Sequence, residues 1–434
     1  MKLNKFFEPQ CKSEIPRRVY ARLIDWHRKQ YALFDTVDAD WFDGENTPAR
    51  GQMTTDRWRS LSTQAPVYAI EVNSRLGEDV LALEWLRVWS KKLPLWLELQ
   101  VFPDESGPAN LYGNVNGPPS RVRIFQDSIK QDALDTLRRV TDLSPYAKPD
   151  ESIRQALPTD VLEDVFVLDV GQGAANALVT KSRKVLAYVD LGSGVLADAS
   201  TWPPAMTGIC LKDDPLVVLT HWHYDHFHAA NKFTTALNRT WIAPFQKIGP
   251  GPQSVMANSI IQNGILMIWN GKGIVKNGAI ELERCTGSTG NFNRSGIAVW
   301  VNGPDKSDAP ILLPGDAGYA DVPSLKGSAT RSITSLTVSH HGGQAAGPAP
   351  SRQNLSAARA AMSFGNNNSY KHPLSRSIKK LQKAGWSIGF PNASQDDRRT
   401  EDRQNGLGTI DLRWKGSSLG TYSCNCGCSI APTQ

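Results

Sequence analysis

Four of the chain's eight histidines fall within ten residues, Leu219-Thr220-His221-Trp222-His223-Tyr224-Asp225-His226-Phe227-His228. The run Pro215-Leu216-Val217-Val218-Leu219 ahead of them reads as a buried strand, so the histidines stand where a strand ends and a turn or helix begins. Alternate residues on extended backbone point the same way, which lets His221 and His223 face one point in space. After the bend, Asp225 and His226 can face a second point close by. Imidazole with carboxylate suits zinc, and manganese or iron less well. Capping and surface histidines are the alternative, but packing alone rarely demands four histidines and an aspartate at this spacing.

The elements that must position these groups follow from about Val161, where the texture becomes short strands separated by glycine-rich turns. Val165 to Val170 leads into Gly171-Gln172-Gly173, and Val185 to Val189 ends in Asp190-Leu191-Gly192-Ser193-Gly194. Further strands are expected at Ala177 to Thr180, Trp241 to Ala243, Ile265 to Trp269, Ile280 to Cys285 and Gly296 to Val301. Ile311-Leu312-Leu313 ends in Pro314-Gly315-Asp316, and Leu336 to Ser339 ends in His340-His341-Gly342-Gly343. Ala360 to Phe364 runs into Gly365-Asn366-Asn367-Asn368-Ser369-Tyr370-Lys371-His372-Pro373. A helix from Leu374 to Ala384 and a strand from Thr409 to Trp414 close the region. Seven of the eight histidines lie between 221 and 372, and none between His228 and His340. Polar groups at strand ends are where a rigid scaffold carries a site.

Residues 1 to about 155 differ, holding a single histidine, His27, and six of the thirteen tryptophans. A helix is expected over Arg18 to Leu33, from Tyr20, Leu23, Ile24 and His27 at helical spacing, and others over Leu81 to Trp89 and Ile129 to Val140. Strands are expected at Pro66 to Val72 and Leu95 to Val101, and Ser144 to Asp150 resembles a linker. The tryptophans read as core, and no catalytic constellation stands out here. This α+β region is expected to recognise a partner or substrate, or to cover a cleft.

With 434 residues, 40% hydrophobic and 21% charged, the composition is that of an ordinary soluble chain long enough for two domains. No run approaches the roughly 18 apolar residues of a membrane span. The start, Met1-Lys2-Leu3-Asn4-Lys5-Phe6-Phe7-Glu8, has no signal-peptide core, so the expectation is a cytoplasmic protein without a membrane role. Scattered Cys11, Cys210 and Cys285 fit a reducing compartment. Cys424, Cys426 and Cys428 crowd the tail from 417 to 434, where they could bind metal or be incidental thiols, without a second ligand pair at zinc-finger spacing.

The His-x-His-x-Asp-His stretch resembles the signature of the metallo-β-lactamase superfamily. Asp169-Val170-Gly171-Gln172-Gly173, Gly315-Asp316, His340-His341-Gly342-Gly343 and Gly365 to Pro373 narrow the resemblance to the hydrolase domain of ComEC/Rec2-type competence proteins, over roughly 160 to 416. Those proteins also have a membrane channel, which this chain lacks, so DNA uptake does not transfer. The resemblance implies an α/β fold, an αβ/βα sandwich of two face-to-face sheets with helices outside. It implies two zinc ions, or manganese in their place. His221 and His223 would ligate the first metal, Asp225 and His226 the second, and Asp316 would bridge them. His341 is the favoured remaining ligand and His340 the substrate-facing acid, with the reverse order open. His372 would meet the substrate or protonate the leaving group, making Asp225, His340 and His372 the catalytic set. Asp190 could orient a ligating histidine, Asp169 and Gly171 to Gly173 would shape the turn beneath, and His228 is expected to be a bystander. Many superfamily members carry a further histidine where this chain reads Gly290-Asn291-Phe292-Asn293-Arg294-Ser295-Gly296, so the first site is completed by Asn293 or water, or is weaker.

A bound divalent metal lowers the pKa of water to about 7, and a pair of metals can hold the nucleophile and stabilise an oxyanion. A histidine near its ordinary pKa can protonate a departing alkoxide. From Val322 to Gln395 there are nine basic residues and no Asp or Glu, a charge that would attract a polyanion. Arg376, Lys379, Lys380 and Lys383 could equally be a solvated helix face. Asn366 to Asn368 and Ser369 could add phosphate hydrogen bonds. A phosphodiesterase or nuclease is therefore expected, with an anionic substrate such as nucleic acid. Carboxyl-ester, lactone or thioester hydrolysis is the enzymatic alternative, and a binding protein with a vestigial metal site the other.

Overall fold

A computed structural model describes residues 2–8, 14–27, 31–73, 95–326, 331–353, 358–386, 398–399 and 408–414. The chain divides into two compact units. One comprises Met1–Pro145, Gln246–Asn263 and Thr289–Phe292; the other comprises Tyr146–Phe245, Gly264–Ser288 and Asn293–Gln434. The sequence-based boundary near 155 is thus displaced: residues 146–156 contribute a short strand and the helix Asp150–Ala156 to the second unit. The first unit also takes two segments from the middle of the chain.

The first unit is a closed barrel. Its strands are β1 (Arg18–His27), β2 (Tyr31–Asp38), β3 (Val67–Asn73), β4 (Trp96–Pro103), β5 (Ala109–Tyr112) and β6 (Ser120–Asp127), in the order β1-β2-β3-β5-β6-β4. The helix expected over Arg18 to Leu33 is therefore wrong: that segment is β1 and the start of β2, paired antiparallel. The cause is burial on both faces of β1. Val19, Ala21 and Leu23 fill the barrel, while Tyr20, Arg22 and Ile24 are also buried, so no alternation survives to signal a strand. The strands at 66–72 and 95–101 and the helix Gln131–Val140 match their expectation, whereas Leu81 to Trp89 lies outside the described residues. The helix Pro252–Asn263 had no sequence signal, because it is buried almost all round, from Pro252 to Ile260, and includes small polar Ser254 and Ser259. Asp35 of β2 holds its start, accepting from the backbone N–H groups of Gly251 and, at 2.9 Å, Gln253.

The second unit is built on two sheets. The first contains β7 (Ala147–Lys148), β8 (Asp164–Val167), β9 (Ala175–Val179), β10 (Val185–Leu191), β11 (Leu216–Val218), β12 (Thr240–Pro244), β13 (Ile265–Trp269) and, last in sequence, β21 (Ile410–Leu412). Its order is β21-β8-β9-β10-β11-β12-β13-β7. The second sheet runs in sequence order through β14 (Ile274–Asn277), β15 (Ile280–Arg284), β16 (Ile297–Val301), β17 (Ile311–Leu313), β18 (Ser335–Thr337), β19 (Ala360–Met362) and β20 (Arg398–Arg399).

Period-two patterning divides the side chains of β16 between two cores. Ile297, Val299 and Val301 join a cluster with Val165, Val167, Leu178, Val189, Val218 and Ile242 of the first sheet. Ala298 and Trp300 join Leu312, Leu336, Met362 and, from the helix Ser375–Lys383, Ile378 and Leu381. Each fully buried aliphatic side chain contributes about 1.5–3 kcal/mol. Because both faces of the second sheet are covered, its strands read as continuous apolar runs. Within the sheets, β10 to β13 are parallel, as are β17 to β19. Parallel strands put their C-terminal ends at one edge, where loops can converge. Among the described residues, no helix is long and apolar enough to cross a membrane.

Candidate metal centre

The end of β10 carries Asp190, and the loops leaving β11, β17, β18 and β19 carry His221 to His226, Asp316, His340 with His341, and Ser363. Two groups of donors form. His221, His223 and Asp316 make one, and Asp225, His226 and His341 the other, each within 4.8 Å across its ligand atoms. In the first, His221 Nε2 lies 3.0 Å from His223 Nδ1 and 3.6 Å from Asp316 Oδ2. In the second, His341 Nε2 lies 3.3 Å from both His226 Nε2 and Asp225 Oδ2. Asp316 stands between them. Its Oδ1 is 3.2 Å from His226 Nε2 and 3.5 Å from His341 Nε2, while its Oδ2 faces His221. His340 is half-exposed, with Nε2 3.7 Å from Asp316 Oδ2, and falls outside both groups.

The backbone is shaped to allow this. His340 and His341 both adopt left-handed φ, at 55° and 52°, which is uncommon for residues with a Cβ and is tolerated where the surroundings enforce it. Gly192 admits the Asp225 turn: a Cβ there would meet the Asp225 carbonyl oxygen at 1.6 Å. Ala174 N–H donates to that same carbonyl at 3.1 Å. Gly315, at φ 56°, packs on Thr220, whose hydroxyl a Cβ would meet at 2.5 Å.

The far sides of His226, His341 and His221 are held. Asp190 accepts from His226 Nδ1 at 2.8 Å, and from the Thr220 backbone N–H and hydroxyl at 2.7 and 2.9 Å. His341 Nδ1 donates to the Ser363 carbonyl at 2.9 Å, and His221 Nδ1 lies 3.1 Å from the Thr220 hydroxyl. These bonds put the proton of His226 and His341 on Nδ1 and leave Nε2 bare toward the cluster, the state a metal ligand needs. Charge agrees. Burial works against a charged His226, yet Asp316, Asp190 and Asp225 around it hold its pKa well above the usual histidine value. Burial likewise opposes ionisation of Asp316, but His226, His340, His341 and His221 hold it well below the carboxylate range. A buried cluster with three carboxylates requires positive charge, which a proton supplies and a divalent cation supplies better, displacing that proton. The donor set fits metal.

His372 lies beside His340, with ring centroids 5.4 Å apart, and is half-buried. His228 is fully buried; burial first, then Lys232, pushes its pKa down to about 3, so it stays neutral in the core. Asp169 ties the end of β8 to 408–409, accepting from the N–H groups of Gly171 and Gly408. Of Asn366 to Asn368 and Ser369, expected to add phosphate hydrogen bonds, Asn368 is spent on Gly365 and His372 and the Ser369 hydroxyl donates to buried Asp198, while Asn366 and Asn367 are exposed. Asp198 was missed as a side chain near the site, and Gln172 was expected only as part of the turn beneath it, not as a side chain 3.3 Å from His372 Nδ1. For Gln172 the signal was its place at a strand end between glycines; for Asp198 there was none. Of the nine basic residues of 322–395, Arg331 pairs with Glu281, Lys380 donates to the carbonyls of Ala345 and Gly347, and Arg352 and Arg359 donate to backbone carbonyls. Lys371, Lys379 and Lys383 remain exposed.

No family model and no curated protein matches this chain. Solved structures similar to it are metallo-β-lactamase superfamily members. One is Tm1679, a metal-dependent hydrolase of the beta-lactamase superfamily, at 10% identity over 58% of this chain and 100% of that one, with a TM-score of 0.33. Another is MEM-A1, a subclass B3 metallo-β-lactamase from a soil metagenome library, at 14% over 42% and 80%, with a TM-score of 0.25. A third is GOB-18 from Elizabethkingia meningoseptica, at 17% over 38% and 66%, with a TM-score of 0.23. Scores and identities this low leave the geometry of the chain's own residues as the basis for its chemistry.

Proposed function

We propose that this protein is a metal-dependent hydrolase with the metallo-β-lactamase sandwich, and that it cleaves phosphodiesters, as a nuclease or nucleotide phosphodiesterase. The observation that carries the hydrolase reading is Asp316, with one carboxylate oxygen toward each donor group. His221, His223 and Asp316 would hold one divalent cation, and Asp225, His226, His341 and Asp316 the other. Zinc suits this imidazole–carboxylate set, and manganese is the alternative. When bound, such a pair supplies Lewis acidity and lowers the pKa of a bound water to about 7. Asn293 is the candidate to complete the first group: its Oδ1 is buried without a hydrogen-bond partner, and nearby Gly296 packs on Thr220 and His221.

His340 is assigned to proton transfer. Its Nδ1 donates to the Gln344 carbonyl at 3.3 Å, which leaves Nε2, on the side of Asp316, to take up and deliver a proton. The phosphodiester preference rests on the acid-free basic segment, with Lys371 exposed next to His372. The competence-type subgroup is favoured by its four motifs, and a partner-binding role for the first unit by its separate barrel. The internal use of Arg331, Arg352, Arg359 and Lys380 thins the charge available to a polyanion and favours, as second reading, a carboxyl-ester, lactone or thioester substrate.

The test is metal content by elemental analysis together with turnover of bis(p-nitrophenyl) phosphate with added zinc or manganese, beside Asp316→Ala. About two metals per chain and diester cleavage abolished in the variant are expected. Metal with cleavage only of carbon esters would move the assignment to the second reading, and a metal-free native chain would end the hydrolase reading.

A further inference from the structure

We propose that Gln172 is a positioning residue that holds His372 as its Nε2–H tautomer, so that His372 meets substrate as a neutral hydrogen-bond donor and not as the acid that gives up a proton. The catalytic half of this rests on the hydrolase reading; the tautomer does not.

An unambiguous donor starts the argument. The backbone N–H of Gly365 can only donate, and it points at Gln172 Oε1, 3.2 Å away. That fixes which end of the carboxamide is oxygen and turns Gln172 Nε2 toward His372 Nδ1, at 3.3 Å. A carboxamide nitrogen carries only hydrogens, so Nδ1 must accept. An imidazole that accepts at Nδ1 keeps its proton at Nε2. Double protonation would set N–H against N–H.

Both partners are rigidly held. Gln172 is buried, and its backbone N–H donates to the Thr201 hydroxyl at 2.8 Å, which in turn donates to the Asp198 carbonyl at 2.7 Å. His372 is clamped by Asn368, which accepts from its N–H at 2.9 Å and donates to its carbonyl at 2.7 Å. Asp198 fixes the intervening turn through the Ser369 N–H at 2.6 Å and hydroxyl at 2.9 Å. The loop that carries His372 therefore also supplies the Gly365 N–H that orients its partner. Nε2 is turned toward the segment bearing His340, since a Cβ on Gly343 would lie 2.7 Å from it. Burial, then His340 and His341, hold the His372 pKa well below the usual value, in keeping with a neutral ring. The two histidines thus divide the work. His340, tied through Nδ1, has Nε2 free to move a proton; His372, tied the opposite way, offers a fixed N–H to charge developing on the substrate.

Long-range proton–nitrogen correlation spectra of the full chain, labelled with ¹⁵N-histidine, read the tautomer directly, and His372→Ala identifies the signals. The expected spectrum has a bare Nδ1 and a protonated Nε2. A proton on Nδ1 in the native chain would overturn the proposal. Gln172→Glu puts an acceptor opposite Nδ1 and should draw a proton onto it; an unchanged ring in that variant would remove Gln172 from the positioning role. On bis(p-nitrophenyl) phosphate, His372→Ala should lower kcat by about 100-fold, the order seen for loss of one transition-state donor. His372→Gln keeps an N–H near the Nε2 position without acid function, and should stay within about tenfold of native. If it is as impaired as His372→Ala, His372 is the acid after all. The spectrum needs no turnover, so failure of the diesterase reading leaves the tautomer test standing.

Discussion

Replacing Asp190 with Asn changes one oxygen to nitrogen beside the second donor group, and the consequence can be worked through atom by atom. In the native chain Asp190 Oδ2 takes the Nδ1 proton of His226 at 2.8 Å, which leaves His226 Nε2 bare toward Asp225, His341 and Asp316. In Asp190→Asn the carboxamide would keep its oxygen opposite the Thr220 N–H, where the native bond is 2.7 Å, and so must present its NH₂ to His226. Donor would then face donor. The conflict is relieved by moving the His226 proton from Nδ1 to Nε2, which covers the lone pair a metal needs. Disrupting such an outer contact costs metal affinity about 10–100-fold, or about 1.4–2.8 kcal/mol. The assay is zinc affinity by competition with a chromophoric chelator, beside thermal unfolding with zinc and with EDTA. In EDTA the variant should itself melt lower than native, because it removes the acceptor of a buried His226 hydrogen bond and one of the carboxylates that offset charge on that ring, so the metal effect is read as the difference between zinc and EDTA in each protein. With zinc it should lose up to about 2.7 kcal/mol of metal-linked stabilisation, the linkage value of a 100-fold affinity change. Zinc affinity within about threefold of native would refute the claim that Asp190 sets the His226 tautomer.

His341→Ala should lose one metal per chain, whereas His340→Ala should keep both and lower kcat about 100-fold; elemental analysis beside kinetics separates them, and equal metal loss would cancel the division of roles. Gly192→Ala drives a methyl into the Asp225 carbonyl and should empty the second group while the chain still folds, as read by metal content and circular dichroism. Burial would raise the Glu281 carboxyl, but hydrogen bonds from Arg331, Lys276 and Asn302 more than reverse this and pull it to about 2 from an ordinary 4.5. Its folded pKa is depressed, so its stabilisation is present above about pH 4.5 and is lost as pH falls toward about 2. Glu281→Gln should therefore cost about 2–3 kcal/mol in denaturant unfolding at pH 7 and progressively less in acid; a pH-independent cost would refute the ion-pair account.

The sequence by itself determined which residues could do chemistry. Histidine and aspartate at strand ends are visible because a buried parallel strand is a short β-branched run, and because side chains so polar rarely serve packing. His221, His223, Asp225, His226, Asp316 and His341 were all legible this way, as were most strands of the second unit. What the sequence could not show is anything that depends on which strands become neighbours. Asp190 was expected to orient a ligating histidine, but that the histidine is His226 follows from the parallel pairing of β10 and β11, Val189 beside Val218. Gln172 reaches His372 across 200 residues of chain, a distance no periodicity encodes. The basic segment read as charge that would attract a polyanion, yet tertiary contacts consume Arg331, Arg352, Arg359 and Lys380 inside the fold. The misreading of β1 has the same root. Helical spacing and a strand buried on both faces give the same apolar run, and only the neighbours that cover Tyr20, Arg22 and Ile24 distinguish them. Local patterns record what a residue needs, water or its absence, while the identity of the partner is set when distant strands pair.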